Sequence, residues 1–282
     1  MSSPVWLITA TSGGFGRQIA LEVLRRNHQV IATARDVSKV EDLKSAGADT
    51  ASLDVTDKLE NIQRTVSEAV SKFGRIDYLV NIAGYILEGA AEEASPEETL
   101  QLFNTNFFGT LNVTRAVLPY MRAQRSGTIA LFGSLASWRS GPAYSLYSAT
   151  KWACSGIAEG LRAETAPFGI TVTVIEPGVF RTGFLDPGAK LKTRSQLKDY
   201  DETAVGQVRQ ALNKPNKHQP GDVVKGSLVI VDILTRSGVA AGREVPERIV
   251  LGSDCEQAIR KKCTDTLALL DEWKDIFTST DN

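Results

Sequence analysis

Only three cysteines (Cys154, Cys255, Cys263), two histidines and two methionines occur in the 282 residues. An odd cysteine count with no CxxC pair excludes a disulfide framework and a zinc knuckle and fits a reducing compartment. His28 and His218 stand far apart, so no metal site and no histidine-dependent triad is expected. No apolar run approaches 18 residues, so no membrane span is expected, and the N-terminus lacks the basic-then-apolar order of a secretory signal. A cytoplasmic protein follows. Thirty-two basic side chains against 33 acidic ones give a net charge of -1. That leaves no surplus for nucleic acid or an anionic membrane. The densest basic stretch, 190–198, reads as a solvated loop.

What is present is core-forming material, 42% hydrophobic, enough for one large α/β domain over 1–282. Short β-rich runs alternate with helical patterns, which predicts βαβ units and a parallel sheet. Strands are expected at 5–9, 29–34, 51–54, 78–82, 128–132, 171–175 and 249–251. Helices are expected at 16–26, 58–73, 144–168 and 222–236. A further helix begins at Ser95-Pro96, where Ser95 and Glu98 form a capping box and Pro96 suits the first turn. The polar segment 183–219 is a candidate substrate lid. The tail 254–277 is amphipathic, with Ile259, Cys263, Leu267, Leu270 and Trp273 at spacings of three and four. It is expected to pack on its own domain rather than on a partner.

The stretch TATSGGFG (9–16) follows the first strand and opens a helix. Unpaired N–H groups at such a helix start attract a pyrophosphate, and glycines admit the ligand. Gly13, Gly14 and Gly16 supply that space, and Ser12 adds a hydroxyl. Taken alone the loop fits an ordinary tight turn as well; its position between strand and helix favours a nucleotide. At the end of the second strand an acid would hold a ribose 2′-hydroxyl. The chain has Ala34-Arg35 there, and arginine takes a 2′-phosphate. NADP(H) is therefore favoured over NAD(H), with Asp36 as the one discordant charge.

Tyr147 and Lys151 lie at i and i+4 on one helix face. A nearby ammonium stabilises a phenolate, so the tyrosine can exchange a proton with an alcohol or carbonyl. Ser134 ends the fifth strand, 81–84 (NIAG) the fourth and Pro177-Gly178 the sixth. All fall at the strand ends where doubly wound sheets bind ligands. No GxSxG elbow supports a hydrolase.

These motifs together resemble the short-chain dehydrogenase/reductase family, of the single-domain YxxxK type. TATSGGFG corresponds to its TGxxxGxG loop, Asp54-Val55 follows the third strand, and NIAG corresponds to its NNAG. Asn106, Ser134, Tyr147, Lys151, Pro177-Gly178 and Thr182 follow in order. The resemblance runs from residue 5 to about 182, more loosely to 252. It implies a Rossmann-type three-layer αβα fold and a reversible hydride transfer between a nicotinamide and a carbonyl or alcohol carbon. By resemblance Tyr147 is the general acid/base, Ser134 positions the substrate oxygen, and Lys151 lowers the tyrosine pKa and holds the nicotinamide ribose. Asn106 would order a proton-relaying water chain, although it also reads as a buried Asn bonding strand backbone. Thr9, Ser12, Gly13, Gly14, Phe15, Gly16, Arg35, Asp54, Val55, Asn81, Ala83, Gly84, Pro177, Gly178, Val179 and Thr182 would contact the cofactor. Two departures stand out. Ala10 replaces the first glycine and adds a methyl beside the cofactor, and Ile82 replaces the second Asn of NNAG. Relatives pair the helices 95–124 and 144–168 across a two-fold axis, which implies a homodimer or homotetramer.

Ile86, Leu87, Leu135, Trp138, Tyr144, Phe180 and Phe184 are the expected pocket lining, and Leu191, Leu197 and Tyr200 the lid contribution. This apolar set favours a lipophilic ketone or secondary alcohol. A non-redox isomerase or cyclase, or an NADPH-sensing regulator on the same fold, are the alternatives. A sensor would have no need of Ser134, Tyr147, Lys151 and Asn106 together.

Overall fold

The computed structural model describes residues 3–186, 188–213 and 219–281. Pro187 and 214–218, which belong to the candidate lid, lie outside the described residues. The main sheet contains β1 (Val5–Ile8), β2 (Gln29–Ala34), β3 (Asp49–Ser52), β4 (Tyr78–Asn81), β6 (Gly127–Phe132), β7 (Ile170–Pro177) and β9 (Arg248–Leu251). Its order is β3-β2-β1-β4-β6-β7-β9, and every pairing is parallel. Strands covered on both faces read as unbroken apolar runs. VWLI in β1 is buried at all four positions.

Helices cover both faces. On one, α1 (Gly14–Arg25), α2 (Glu41–Ser45) and α8 (Val223–Thr235) pack Ile19, Val23, Leu43 and Ile230 against Trp6 and Ile8. On the other, α3 (Leu59–Phe73), α5 (Thr110–Gln124) and α6 (Ser145–Thr165) pack Ile62, Val66, Val117 and Leu161 against Leu7, Leu79 and Ile129. The strand order reverses between β1 and β4, opening a crevice at the carboxyl ends of the strands. The result is the expected three-layer Rossmann-type αβα fold.

The helix expected from Ser95 begins as α4 (Pro96–Phe103), with both capping-box bonds formed: Glu98 N to Ser95 Oγ at 3.2 Å and Ser95 N to Glu98 Oε2 at 3.0 Å. It runs into α5 through a π-helical turn, Asn104–Gly109, which holds Asn106. Such turns recur where a helix must present a side chain out of its regular register.

The lid segment is more ordered than its polarity suggests. It contributes β8 (Lys190–Lys192), which pairs with β5 (Ile86–Glu88), and α7 (Ala204–Asn213). Three glutamates spaced by five hold it down. Lys190 lies 3.0 Å from Glu88 Oε2 while its protons are aimed at Leu212 O (2.8 Å) and Asn213 Oδ1 (2.6 Å), so that contact is one of charge. Glu93 accepts from Leu197 N at 2.7 Å and pairs with Arg209, and Glu98 accepts from Arg194 N at 2.9 Å. Glu88 and Glu93 are buried.

The C-terminal tail departs from expectation. It forms α9 (Ser253–Glu272) and α10 (Lys274–Phe277), but only its first turns touch the domain. Asp254 Oδ2 accepts from Val179 N at 2.7 Å, and Cys255 Sγ donates to Glu176 O at 3.3 Å. From Arg260 to Asp281 every residue is exposed. The stripe is apolar as read; no part of this chain, among the described residues, covers it.

Burial pushes the Glu93 carboxyl up, but Arg209 and the N–H groups of Leu197 and Ala90 outweigh it and hold the group below its ordinary value. A lowered folded pKa means stability that is present above the unfolded carboxyl's value and lost as pH falls through the folded one. The strap is therefore expected to loosen below about pH 4. Glu93→Ala removes the buried partner of the Arg209 cation and leaves it only the exposed Asp201 at 3.3 Å, which costs about 3 kcal/mol. Hydrogen exchange across 190–213 should accelerate in that variant while the central strands stay protected. Unchanged protection of 190–213 would remove the glutamate latch.

Candidate active site

A cavity of about 580 Å³ opens at the carboxyl ends of β1, β4, β6 and β7. A shallower groove of about 490 Å³ beside α4, lined by Ala94, Pro96, Thr99, Leu100, Phe103 and Phe108, carries no titratable side chain.

One wall of the cavity is the loop 9–16. Ala10, Ser12, Gly13, Gly14 and Phe15 line it. α1 starts at Gly14, and its N-cap, Gly13, offers no side-chain bond, so the N–H groups of its first turn have no cap. The loop is sewn to its neighbours. Thr11 N and Oγ1 donate to Thr33 O (3.0 and 3.1 Å), and Thr9 Oγ1 accepts from Ile82 N and Ala83 N (2.8 and 3.2 Å). The glycines differ in their reasons. Gly14 has φ +51, the left-handed region. At Gly16 a Cβ would collide with the carbonyl oxygen of Ala10. Gly13 is extended. The departure at Ala10 is therefore more than a methyl, because Ala10 itself sits at φ +55.

The floor holds the candidate catalytic side chains. α6 brings Tyr147 and Lys151 into the cavity, and Ser134 faces them from the end of β6. Tyr147 is 7% and Lys151 4% exposed. Lys151 Nζ donates to Phe132 O at 2.8 Å and lies 5.8 Å from the centre of the Tyr147 ring. Burial pushes the Tyr147 phenol well above its ordinary value, and the Ser134 hydroxyl pulls it part of the way back. Burial pulls the Lys151 ammonium down. Asn106 lies outside the lining. Its Oδ1 accepts from Tyr85 N (3.0 Å), and its Nδ2 donates to Tyr85 O (2.9 Å) and Thr150 Oγ1 (3.1 Å). Only the missing side chain of Gly84 separates it from Lys151: a Cβ there would lie 3.1 Å from Asn106 Oδ1 and 3.6 Å from Lys151 Nζ.

Gly84, Pro177, Gly178, Val179 and Thr182 complete the lining among the residues expected at the cofactor. Thr9, Gly16, Arg35, Asp54, Val55, Asn81 and Ala83 lie outside it. Asp54 Oδ1 is taken up by Thr56 N and Oγ1, and Asn81 Nδ2 donates to Thr114 Oγ1 at 3.0 Å. Arg35 stands exposed at the end of β2 and pairs with no carboxylate among the described residues. Asp36 turns its carboxylate to Ser38 N (3.0 Å) and Ser38 Oγ (2.7 Å).

Ile86, Leu135, Tyr144, Phe180 and Phe184 line the cavity as expected of a substrate pocket. Trp138 does not, and the expectation is corrected: its indole N–H donates to Glu176 Oε2 at 2.8 Å, and Arg248 lies over its ring at 4.8 Å. Leu87, Leu191, Leu197 and Tyr200 are likewise absent from the lining, which takes Leu185, Ala189, Leu212 and Gln219 from the lid instead.

The residue that sequence reading missed is Glu176, fully buried in β7. Besides Trp138 it accepts from Ser155 Oγ (2.8 Å) and Arg248 Nη1 (2.7 Å). Burial pushes its carboxyl up against those donors. The available signal was a lone acid in the otherwise apolar run VTVIEP, since a buried carboxylate needs partners.

The chain matches the family model described as short chain dehydrogenase over residues 4–190. It is 32% identical over 276 residues to an oxidoreductase of Botryotinia fuckeliana, covering 96% of this chain and 97% of that one. It is 37% identical over 213 residues to a 3-ketodihydrosphingosine reductase of Bacteroides thetaiotaomicron, covering 74% and 76%. A short-chain dehydrogenase from Streptomyces avermitilis superposes over 100% of both chains, with a TM-score of 0.89 and 37% identity. More distant structures share the fold. One from Burkholderia phymatum in complex with NAD has a TM-score of 0.78 at 22% identity, over 95% of both chains. One with NADP bound has a TM-score of 0.69 at 25% identity, over 89% of this chain and 96% of that one.

A left-handed backbone costs a non-glycine residue about 1–2 kcal/mol, and glycine gives back about 0.4–1 kcal/mol through its freer unfolded chain. Ala10→Gly is expected to stabilise the protein by up to about 1 kcal/mol, a rise of about 2 °C in melting temperature. An unchanged or lower melting temperature would mean that Ala10 carries no strain.

Proposed function

The chain belongs to the short-chain dehydrogenase family, and from that footing we propose that it is an NADP(H)-dependent oxidoreductase interconverting a lipophilic ketone and its secondary alcohol. The observation that carries this reading is the meeting of Ser134, Tyr147 and Lys151 in one buried cavity whose other walls are largely apolar.

The residues present fit a nicotinamide dinucleotide. The uncapped start of α1, with Ser12, Gly13 and Gly14, suits a pyrophosphate. Gly178, Val179 and Thr182 would border the nicotinamide, and that ring would supply or accept the hydride. For the phosphate on the adenosine ribose the support lies at the end of β2, where Arg35 pairs with no carboxylate among the described residues and the Asp36 carboxylate is turned to Ser38. The negative charge that argued against NADP(H) is thus already engaged.

Proton movement falls to the chain's own groups. Ser134 would hold the substrate oxygen next to the Tyr147 hydroxyl. Burial keeps that phenol protonated, which suits it to give its proton to the oxygen as the carbonyl carbon is reduced. The phenolate left behind needs a cation, and Lys151 is the one beside it. Lowered by the same burial, Lys151 returns a proton readily. Ile86, Leu135, Tyr144, Phe184 and Leu185 surround this point, so an apolar body is favoured on either side of the carbonyl. A relative described as a 3-ketodihydrosphingosine reductase supports a lipophilic ketone as the substrate class.

Tyr147→Phe should lower kcat by about 100-fold or more, with NADPH affinity unchanged. Turnover of a lipophilic ketone, followed as NADPH consumption, checks this, and wild-type activity in the variant would sink the mechanism. Arg35→Ala should weaken NADPH binding about tenfold or more, the scale of one charged hydrogen bond, and leave NADH binding nearly unchanged. Equal losses for both cofactors would refute the NADP(H) assignment.

A further inference from the structure

α9 and α10 leave the domain after their first turns, and their apolar side chains stay in water. Leu267 is 61%, Leu270 49%, Trp273 42% and Phe277 45% exposed. With Leu269 and Ile276 they present roughly 600 Å² of apolar surface, at the top of what a monomer normally exposes. The stripe has a regular period. Ile259, Cys263, Thr266, Leu270, Trp273 and Phe277 follow one another at alternating steps of four and three, the spacing with which one helix packs along another. Trp273 and Phe277 stack at 5.9 Å, which keeps the stripe continuous across the break between α9 and α10.

We propose that this C-terminal arm pairs antiparallel with the arm of a second copy of the chain. Three observations choose that occupant. The first is area: a pairing that covered these side chains on both arms would bury roughly 1,200 Å² of apolar surface, the lower bound of a stable specific interface. The second is self-complementarity. An antiparallel pair about a two-fold axis between Thr266 and Leu270 sets Cys263 opposite Trp273 and Ile259 opposite Phe277. Each layer then joins a small or aliphatic side chain to a larger one. The third is charge. The last part of the arm, 271–281, carries four acidic side chains against Lys274, whereas 254–265 is balanced, three acids to three cations, with Arg260 and Lys261 paired to Glu256 and Asp265; the antiparallel direction keeps the two acidic ends apart. Across 254–281 seven acidic side chains face four basic ones, which disfavours an anionic membrane or nucleic acid. The arm is also rooted at the candidate site, because Asp254 holds Val179 N and Cys255 holds Glu176 O. A contact made along the arm therefore bears on the loop after β7. The pairing stands on the arm's geometry and not on the proposed reaction.

The test uses the full-length protein in sedimentation velocity over a concentration series. Wild type is expected to sediment as a dimer or higher assembly. Leu270→Asp, and separately a chain ending at Arg260, should each halve that mass while the melting temperature stays within a few degrees. Cys263 is exposed, so Trp273→Cys supplies a partner for it across the two-fold axis. Mild oxidation of that variant should give a covalent dimer, and wild type with Cys263 alone should not. A monomeric wild type, or a mass unchanged by both Leu270→Asp and the truncation, overturns the proposal. So does a covalent dimer formed by wild type as readily as by Trp273→Cys, which would mean parallel arms. Wild-type binding to phosphatidylcholine–phosphatidylserine vesicles that Leu270→Asp abolishes, without any change of mass, also overturns it in favour of a lipid surface.

Discussion

Glu176 lies wholly buried at the end of β7, and its two carboxylate oxygens accept from Trp138, Ser155 and Arg248. Each donor comes from a different element. Trp138 follows the turn that begins at Ser134, Ser155 sits one turn beyond Lys151 on α6, and Arg248 opens β9. A carboxylate out of water is tolerated only when its lone pairs are met. Meeting them fixes the distance between the Ser134 turn and the helix that carries Tyr147 and Lys151. The Ser137 hydroxyl, which donates to Lys151 O at 2.9 Å, closes the same unit from the other side. One residue further along the chain, Pro177-Gly178 begins the loop expected at the nicotinamide. Gly178 is required there because a Cβ would run into the Asp254 carboxylate.

Around this rigid floor the remaining walls are held by means that differ in strength. The loop 9–16 is tied to β2 and β4 by threonine hydroxyls and carries a left-handed alanine that the surrounding bonds keep in place. The segment from β8 to α7 is held by Glu88, Glu93 and Glu98, two of them paired with cations that reach in from the segment itself. The Glu93–Arg209 pair responds to pH, whereas the apolar sheet beneath does not. The cavity thus has a permanent base, beside a segment whose attachment depends in part on the ionisation of Glu93.

Much of the site was legible because its signals are local. Tyr147 and Lys151 are four apart on a helix, the capping box at Ser95 is a four-residue pattern, and TATSGGFG is contiguous. What misled was direction. Trp138 is aromatic and follows Ser134 closely, so it reads as pocket lining, yet its indole N–H turns to a carboxylate 38 residues away in sequence. Asn106 reads both as part of a relay and as a buried Asn bonding backbone, and its amide is taken up by the backbone of Tyr85 and by Thr150. Glu88 and Glu93 carry no local signal, because their partners, Lys190 and Arg209, lie about a hundred residues on.

The sequence by itself determined the alternation of strand and helix, the parallel sheet with its glycine-rich loop, and which side chains are the candidates for the reaction. Those follow from periodicity and from spacings within a turn or two, which neighbouring residues set among themselves. The tertiary structure alone decided that Ala10 is left-handed, that Glu176 ties the floor together, that Trp138 faces away from the cavity, and that the amphipathic tail stands free of its own domain. Each of these depends on which distant groups compete for the same buried space, and an apolar stripe records only that it needs a partner, not where that partner is.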